Sequence, residues 1–341
     1  MSNKQPEQPA QHSGGQRPRP TSPDSIMLDP VKPGQGKGKK VRQGFFNPPR
    51  MIRWMDTLTF PFAVFFILSD QAIHPAYNMT WRRKYAMAWK LFRTTRSIKK
   101  CGTSWRAHLA MASKLLSFAP GEEGVVVECG CWQGASSACL SIICEYANRQ
   151  LIVYDSFEGL PPAHPRDERA REDARGFFRG PLEVVRGNVR KYGYIDRCTF
   201  VKGWFEDTLP HHNDKIVLAY IDVDYQKSLH DCVTNLWPWL VDKGYMFIDE
   251  YLILRYCALF WSERWWRTYF DMEPPGMIGA GVGVGVGQFW VGPKDGRMGR
   301  AGSRPYQAPH SAGYTRKDFS GYWSFYPEED EVSGQAGTED G

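Results

Sequence analysis

The signatures that most often place a chain of this size are missing. None of the eight cysteines, at 101, 129, 131, 139, 144, 198, 232 and 257, forms a Cys-x-x-Cys pair, and no histidine cluster lies near them, which argues against the common zinc modules. They read as reduced thiols of a cytosolic protein, so a cytoplasmic location is expected. The N-terminus is polar with no early apolar core, so no signal peptide is expected. The most apolar window, LTFPFAVFFIL at 58–68, has eleven residues with Pro61 inside and is too short to span a bilayer as a helix. It reads as a buried helix or as a shallow membrane-contacting segment. There is no Gly-x-Gly-x-x-Gly turn and no Gly-Lys-Ser/Thr, hence neither a pyrophosphate cradle nor a phosphate loop. A nicotinamide dehydrogenase is therefore disfavoured.

Charge is unevenly spread. Residues 1–120 carry 20 Lys and Arg against 5 Asp and Glu, while the remainder carries 23 against 32. A basic leading segment ahead of an acidic body suggests an anionic partner for that segment, or a solvated basic arm. Residues 1–48, rich in Pro, Gly, Gln and Lys, lack the apolar surface that would offset chain ordering and read as a disordered basic tail. In the helical, basic extension at 49–103, the stretch WRRKYAMAWKLFRTTRSIKK (81–100) places Trp81, Tyr85, Ala88, Trp89 and Phe92 at helical spacing on one face, with eight Lys and Arg elsewhere. This helix either packs on the main domain or rests on anionic lipid, a peripheral membrane contact. No nucleic-acid module accompanies the charge.

From residue 104 the pattern becomes regular, with strands at 125–129, 151–155, 198–203, 216–222 and 245–250 and helices at 104–118, 134–147, 181–191, 228–240 and 254–270. Two further strands are expected near 277–284 and 287–291. Such alternation implies an α/β fold, a mostly parallel sheet with helices on both faces. The domain is bounded at 104–293, and 294–341 reads as a disordered acidic tail. GAGVGVGVG (279–287) has period two and suits a strand or hairpin rather than a phosphate loop.

The informative stretch is VVVECGCWQGASS (125–137) followed by LIVYDSFEGLPP (151–162). A strand ends in Glu128, a turn holding Gly130 and Gly134 opens a helix, and a second strand ends in Asp155. Glycines let backbone approach a ligand, and an acid closing strand two can accept from ribose hydroxyls. Without phosphate ligands, this pattern favours S-adenosylmethionine. Glu128, Gly130 and Gly134 would surround its methionine part and Ser136 would bind its carboxylate. Asp155 would hold the ribose, lined by Ser156 and Phe157, and Gly203, Trp204 and Phe205 would flank the adenine. His211 and His212, in a polar loop, read as surface residues rather than bases.

ECGCWQGASS and DSFEGLPP, continued by GNVRKYG, KGWFEDTLP, AYIDVD and KGYMFIDEY, resemble the TylF/MycF family of class I O-methyltransferases, over roughly residues 104–293. The resemblance implies the class I, Rossmann-like methyltransferase fold and methyl transfer to a sugar hydroxyl. It further implies a divalent metal held by Asp222, Asp249 and Glu250, with Asp222 the residue expected to carry catalysis. Hard oxygen ligands select magnesium, which can hold vicinal hydroxyls and acidify one. The chain departs from the family in having Glu250 where a second Asp is usual, and Gln226 where a Tyr is usual. Those departures keep a second reading open, a non-catalytic S-adenosylmethionine-binding protein docked through its basic extension. The expected partners are a small-molecule hydroxyl acceptor and a second copy of the chain in a homo-oligomer, with no nucleic acid among them.

Overall fold

The computed structural model describes residues 57–58, 60–98, 103–164, 174–250, 254–280 and 312–318. Strands β1 (Val125–Cys129), β2 (Leu151–Asp155), β3 (Cys198–Lys202), β4 (Ile216–Ile221) and β5 (Leu240–Ile248) pair in parallel. Strands β6 (Ile278–Ala280) and β7 (Ala312–Arg316) complete a seven-stranded sheet in the order β3-β2-β1-β4-β5-β7-β6, with β7 antiparallel to both of its neighbours. Central parallel strands are covered on both faces and so read as continuous apolar runs. Every residue of β4 is buried accordingly.

Alternate strand residues serve two layers. Val126, Leu218, Tyr220 and Phe247 join one core with helices α1 (Phe60–Ser69), α2 (Trp81–Ser97), α3 (Trp105–Leu115) and α4 (Ala135–Ala147). Val127, Ala219, Ile221 and Met246 are also buried but lie outside that core. Helix α7 (Gln226–Leu236), which buries Leu229, Cys232 and Val233, packs along β4. Helix α5 (Leu182–Tyr192) packs on α4, and the short α6 (Phe205–Thr208) follows β3. The expected mostly parallel sheet with helices on both faces is thus present.

The helix expected over 254–270 is broken into α8 (Leu254–Cys257), a 3-10 turn and α9 (Glu263–Phe270). Trp265 and Trp266 of α9 pack with Trp237 and Phe270, an aromatic block beyond the end of α7. Helix runs through Pro61, so the apolar window is helical despite it. Among the described residues no helix is long and apolar enough to cross a membrane.

Two expectations need correction. Residues 312–318 are not part of a disordered tail: β7 pairs with β5 from Tyr245↔Arg316 to Ile248↔Gly313. Lys317 is buried, its Nζ donating to the carbonyls of Trp237 (2.9 Å) and Pro238 (3.3 Å). Local composition hid this strand, because its stability comes from a β5 edge far away in sequence. The expected second strand at 287–291 lies outside the described residues, as does most of GAGVGVGVG. The second correction concerns α2. Ala88 and Phe92 are buried, together with Met87 and Leu91, but Trp81, Tyr85 and Trp89 are 64%, 44% and 41% exposed. The docking seam is rotated toward 87, 88, 91 and 92, where Thr94 donates to the Tyr192 carbonyl and Thr95 meets Cys139.

Candidate active site

The carboxyl ends of β1, β2, β4 and β5 are laid side by side by backbone hydrogen bonds. Gly130 N–H donates to the Tyr154 carbonyl, Asp222 N–H to Cys129 and Asp249 N–H to Ile221. Gly130 is required by this closeness as well as by its φ of +83°: a Cβ there would lie 1.9 Å from the Asp222 carbonyl oxygen. Gly134, at φ +77°, opens α4 against Val185, whose Cγ1 a Cβ would meet at 2.8 Å.

Glu128 is completely buried. Ser137 donates to its Oε2, while Oε1 has no partner. Burial pushes its carboxyl up to about 8, against the pull of hydrogen bonds from Ser136 and Ser137. Ser136, expected to face a ligand carboxylate, is itself buried and turned toward Glu128. Ser137 was not among the expected site residues. Its signal was positional, since the first turn of a helix that follows a strand faces that strand's end.

Asp155 stitches two loops together. Its Oδ2 accepts from the Cys131 N–H at 2.7 Å and its Oδ1 from the Phe157 N–H at 2.6 Å. Burial raises its pKa, and these backbone donors partly reverse that rise. Each carboxylate oxygen has a further lone pair, so two hydroxyls can still be accepted. Ser156 donates to the Gly159 carbonyl and accepts from the Glu158 N–H, which shapes the same turn. Phe157, at φ +56°, is buried with its ring centroid 6.5 Å from that of Phe200. Gly203 N–H donates to the Asp155 carbonyl, which brings half-buried Trp204 and Phe205, at the start of α6, to the same rim.

Beyond β4 and β5 stands an acidic group. Oxygens of Asp222, Asp224 and Glu250 lie within 4.8 Å of one another. Asp224, at φ +58°, donates its backbone N–H to Glu250 Oε1 at 2.9 Å. Glu250 Oε2 is buried without a partner. Burial, then the neighbouring Asp249, raises the pKa of both Asp222 and Glu250 well above the usual carboxylate range. The compact trio therefore contains Asp224 where Asp249 was expected. Asp249 is tied instead to Tyr220, whose hydroxyl donates to Asp249 Oδ1 at 2.9 Å and approaches Asp222 Oδ2 at 3.4 Å. Tyr220 in turn shares a 2.5 Å hydrogen bond with Thr103. Tyr220 was legible in principle, since residues two apart on a strand share a face and it stands two before Asp222. Thr103 carried no such signal.

The donor set suits a hard divalent cation. It is all oxygen, one oxygen is buried without a partner, and the clustered acids raise one another's pKa as uncompensated negative charge does. His212 belongs elsewhere and is not a surface residue. It is buried, with Nδ1 2.9 Å from the Tyr154 hydroxyl and Nε2 2.9 Å from the Asp214 carbonyl, and burial lowers its pKa.

Comparison with known proteins matches residues 109–273 to the family described as Macrocin-O-methyltransferase (TylF). The chain is 36% identical over 145 residues to the 8-demethyl-8-(2,3-dimethoxy-alpha-L-rhamnosyl)-tetracenomycin-C 4'-O-methyltransferase of Streptomyces olivaceus, covering 40% of this chain and 56% of that protein. It is 31% identical over 147 residues to the mycinamicin III 3''-O-methyltransferase of Micromonospora griseorubida, covering 39% and 57%. The chain thus spans just over half the length of these curated relatives. The solved structure of the O-methyltransferase NovP aligns at 20% identity over 77% of this chain and 99% of that one, with a TM-score of 0.49.

Proposed function

Since residues 109–273 belong to the TylF macrocin-O-methyltransferase family, we propose that this chain is an S-adenosylmethionine-dependent O-methyltransferase whose acceptor is a hydroxyl of a sugar or glycosylated metabolite. The observation that carries this reading is the single rim shared by Glu128, Asp155 and the acidic group at Asp222, joined through Gly130. A relative named for O-methylation of a rhamnosyl compound supports the acceptor class.

The sulfonium methyl passes to the acceptor oxygen, the sulfur keeps the C–S electron pair, and the hydroxyl proton must leave. Glu128 supplies a buried carboxylate for the cofactor's ammonium, and ion pairing there would release the proton that burial retains. Asp155 accepts from the ribose hydroxyls. Trp204 offers its ring face to the adenine, beside Phe205. On the acceptor side Asp222 takes the proton or holds the acceptor in place. Asp222, Asp224 and Glu250 would hold magnesium, with Asp249 fixed beside them by Tyr220. Bound there, the cation supplies acidity to a coordinated hydroxyl.

The test combines calorimetry with labelled methyl transfer. Asp155→Ala should weaken S-adenosylmethionine binding by about a hundredfold, because two charge-assisted hydrogen bonds are lost. Asp222→Asn should leave cofactor binding within a few-fold and abolish turnover, and chelation of the parent should do the same until magnesium is restored. Full turnover after exhaustive chelation would remove the metal from the mechanism. Cofactor binding without turnover on any glycosylated acceptor would favour the non-catalytic binding protein.

A further inference from the structure

Helix α1 has two unlike faces. Phe60, Ala63, Val64 and Ile67 are buried, whereas Leu58, Phe62, Phe65 and Phe66 follow helical spacing on the other side and are 59%, 58%, 69% and 44% exposed. Antiparallel to it lies α2, held by Lys84 Nζ donating to the carbonyls of Leu68 and Asp70 and by Arg96 donating to Thr57. Phe60 links the pair, with its ring 6.4 Å from Tyr85 and 5.4 Å from Trp89. Trp81, Tyr85 and Trp89, one turn apart on α2, extend the exposed apolar row. Seven exposed large apolar side chains on two paired helices mark an interaction surface.

From this surface we infer that the α1–α2 pair docks the protein onto an anionic bilayer, lying in the headgroup region. Three observations select lipid over other occupants. Tryptophan and tyrosine, apolar bodies with polar tips, are the residues that settle at a membrane interface. Neither helix carries an acidic residue, while α2 presents exposed Arg82 and Arg93, the former with its guanidinium 5.3 Å from the Trp81 ring. An apolar row bordered by cations complements anionic headgroups above acyl chains. A second copy fits less well, because a two-fold contact would bring two such basic faces together with no acid on either helix to pair with Arg82 and Arg93. The chain's own leading segment fits no better: residues 1–56 hold 10 Lys and Arg against 4 Asp and Glu. With ten residues α1 cannot cross a bilayer, so it must lie along it. The inference does not depend on methyl transfer.

The experiment is sedimentation of the full chain with vesicles of phosphatidylcholine alone and of phosphatidylcholine mixed with phosphatidylglycerol, at low and raised salt. Arg83 and Lys84 are unsuitable targets, since both hydrogen-bond to backbone carbonyls. The informative variants are the pairs Arg82→Gln with Arg93→Gln, and Phe62→Ser with Phe65→Ser, which should keep the parent's melting temperature. The parent should sediment with the mixed vesicles and release as salt rises. The arginine pair should lower the partition coefficient about 25-fold, taking about fivefold per basic residue. The phenylalanine pair should lower it on the order of a hundredfold. Failure of the parent to sediment with mixed vesicles at low salt overturns the inference. So does binding that survives loss of both phenylalanines, which would assign it to charge alone. A concentration-dependent dimer that the phenylalanine pair converts to monomer, without vesicle binding, would overturn it too and show that a second copy covers the face.

Discussion

Replacing Glu128 by glutamine should make the cofactor-free protein's stability less dependent on pH, in a window and with a sign that the structure sets. Glu128 is completely buried with one oxygen unpartnered, and its carboxyl is pushed from an ordinary 4.5 up to about 8. Between those values the folded protein keeps a proton that the unfolded chain has released. Stability therefore falls as pH rises from about 4.5 to about 8, and this contribution is flat outside the window. A shift of about 3.5 units at about 1.36 kcal/mol each gives a loss of about 5 kcal/mol across it. The amide of the Glu128→Gln variant cannot titrate, so the parent-minus-variant difference in unfolding free energy should drop by that order, favouring the variant at the alkaline end. His108 on α3 also titrates in part of this range, because burial lowers its pKa to about 3. Its contribution has the opposite slope, being lost as pH falls from 6.5 toward 3, but both proteins share it and the subtraction removes it. Urea unfolding at several pH values gives the difference directly. A flat difference would mean that Glu128 ionises near its ordinary pKa, and the buried-carboxyl account of the β1 end would have to be abandoned.

Two other predictions test the backbone and the sheet. Gly130→Ala should cost about 3 kcal/mol or more, combining a left-handed φ with a Cβ 1.9 Å from the Asp222 carbonyl oxygen, whereas Gly187→Ala, with nothing within 4 Å, should be neutral or stabilising by up to about 1 kcal/mol. Denaturant midpoints of the two variants decide the contrast, and equal effects would refute it. Ending the chain at residue 311 removes β7 and with it Tyr314, whose ring lies 5.2 Å from Phe247, and the Lys317 tether to Trp237 and Pro238. The melting temperature should fall by several degrees, and an unchanged melt would show that β7 adds nothing to the sheet.

The alternation of apolar runs with helical segments was enough to place the five parallel strands, although β5 begins five residues before its expected start. Val125–Cys129 and Leu151–Asp155 have the bounds expected of them, because a parallel core strand needs only a continuous apolar run ended by polar residues. The acids at the strand ends were legible for the same reason, as each closes an apolar run. What the sequence could not decide was which of them meet. Asp224, in a left-handed backbone conformation, joins Asp222 and Glu250 in the compact trio, while Asp249, next to Glu250, is hydrogen-bonded by Tyr220. The rotation of α2 was equally hidden. Periodicity grouped Trp81, Tyr85 and Trp89 with Ala88 and Phe92, but the seam depends on the shape of α4 and on Trp105 beneath it. β7 shows the limit most plainly: nothing in a polar, glycine-rich stretch reveals a strand whose hydrogen-bonding partner is so distant along the chain. Periodicity is a property of neighbours along the chain; pairing and packing seams depend on surfaces that only the folded chain brings together.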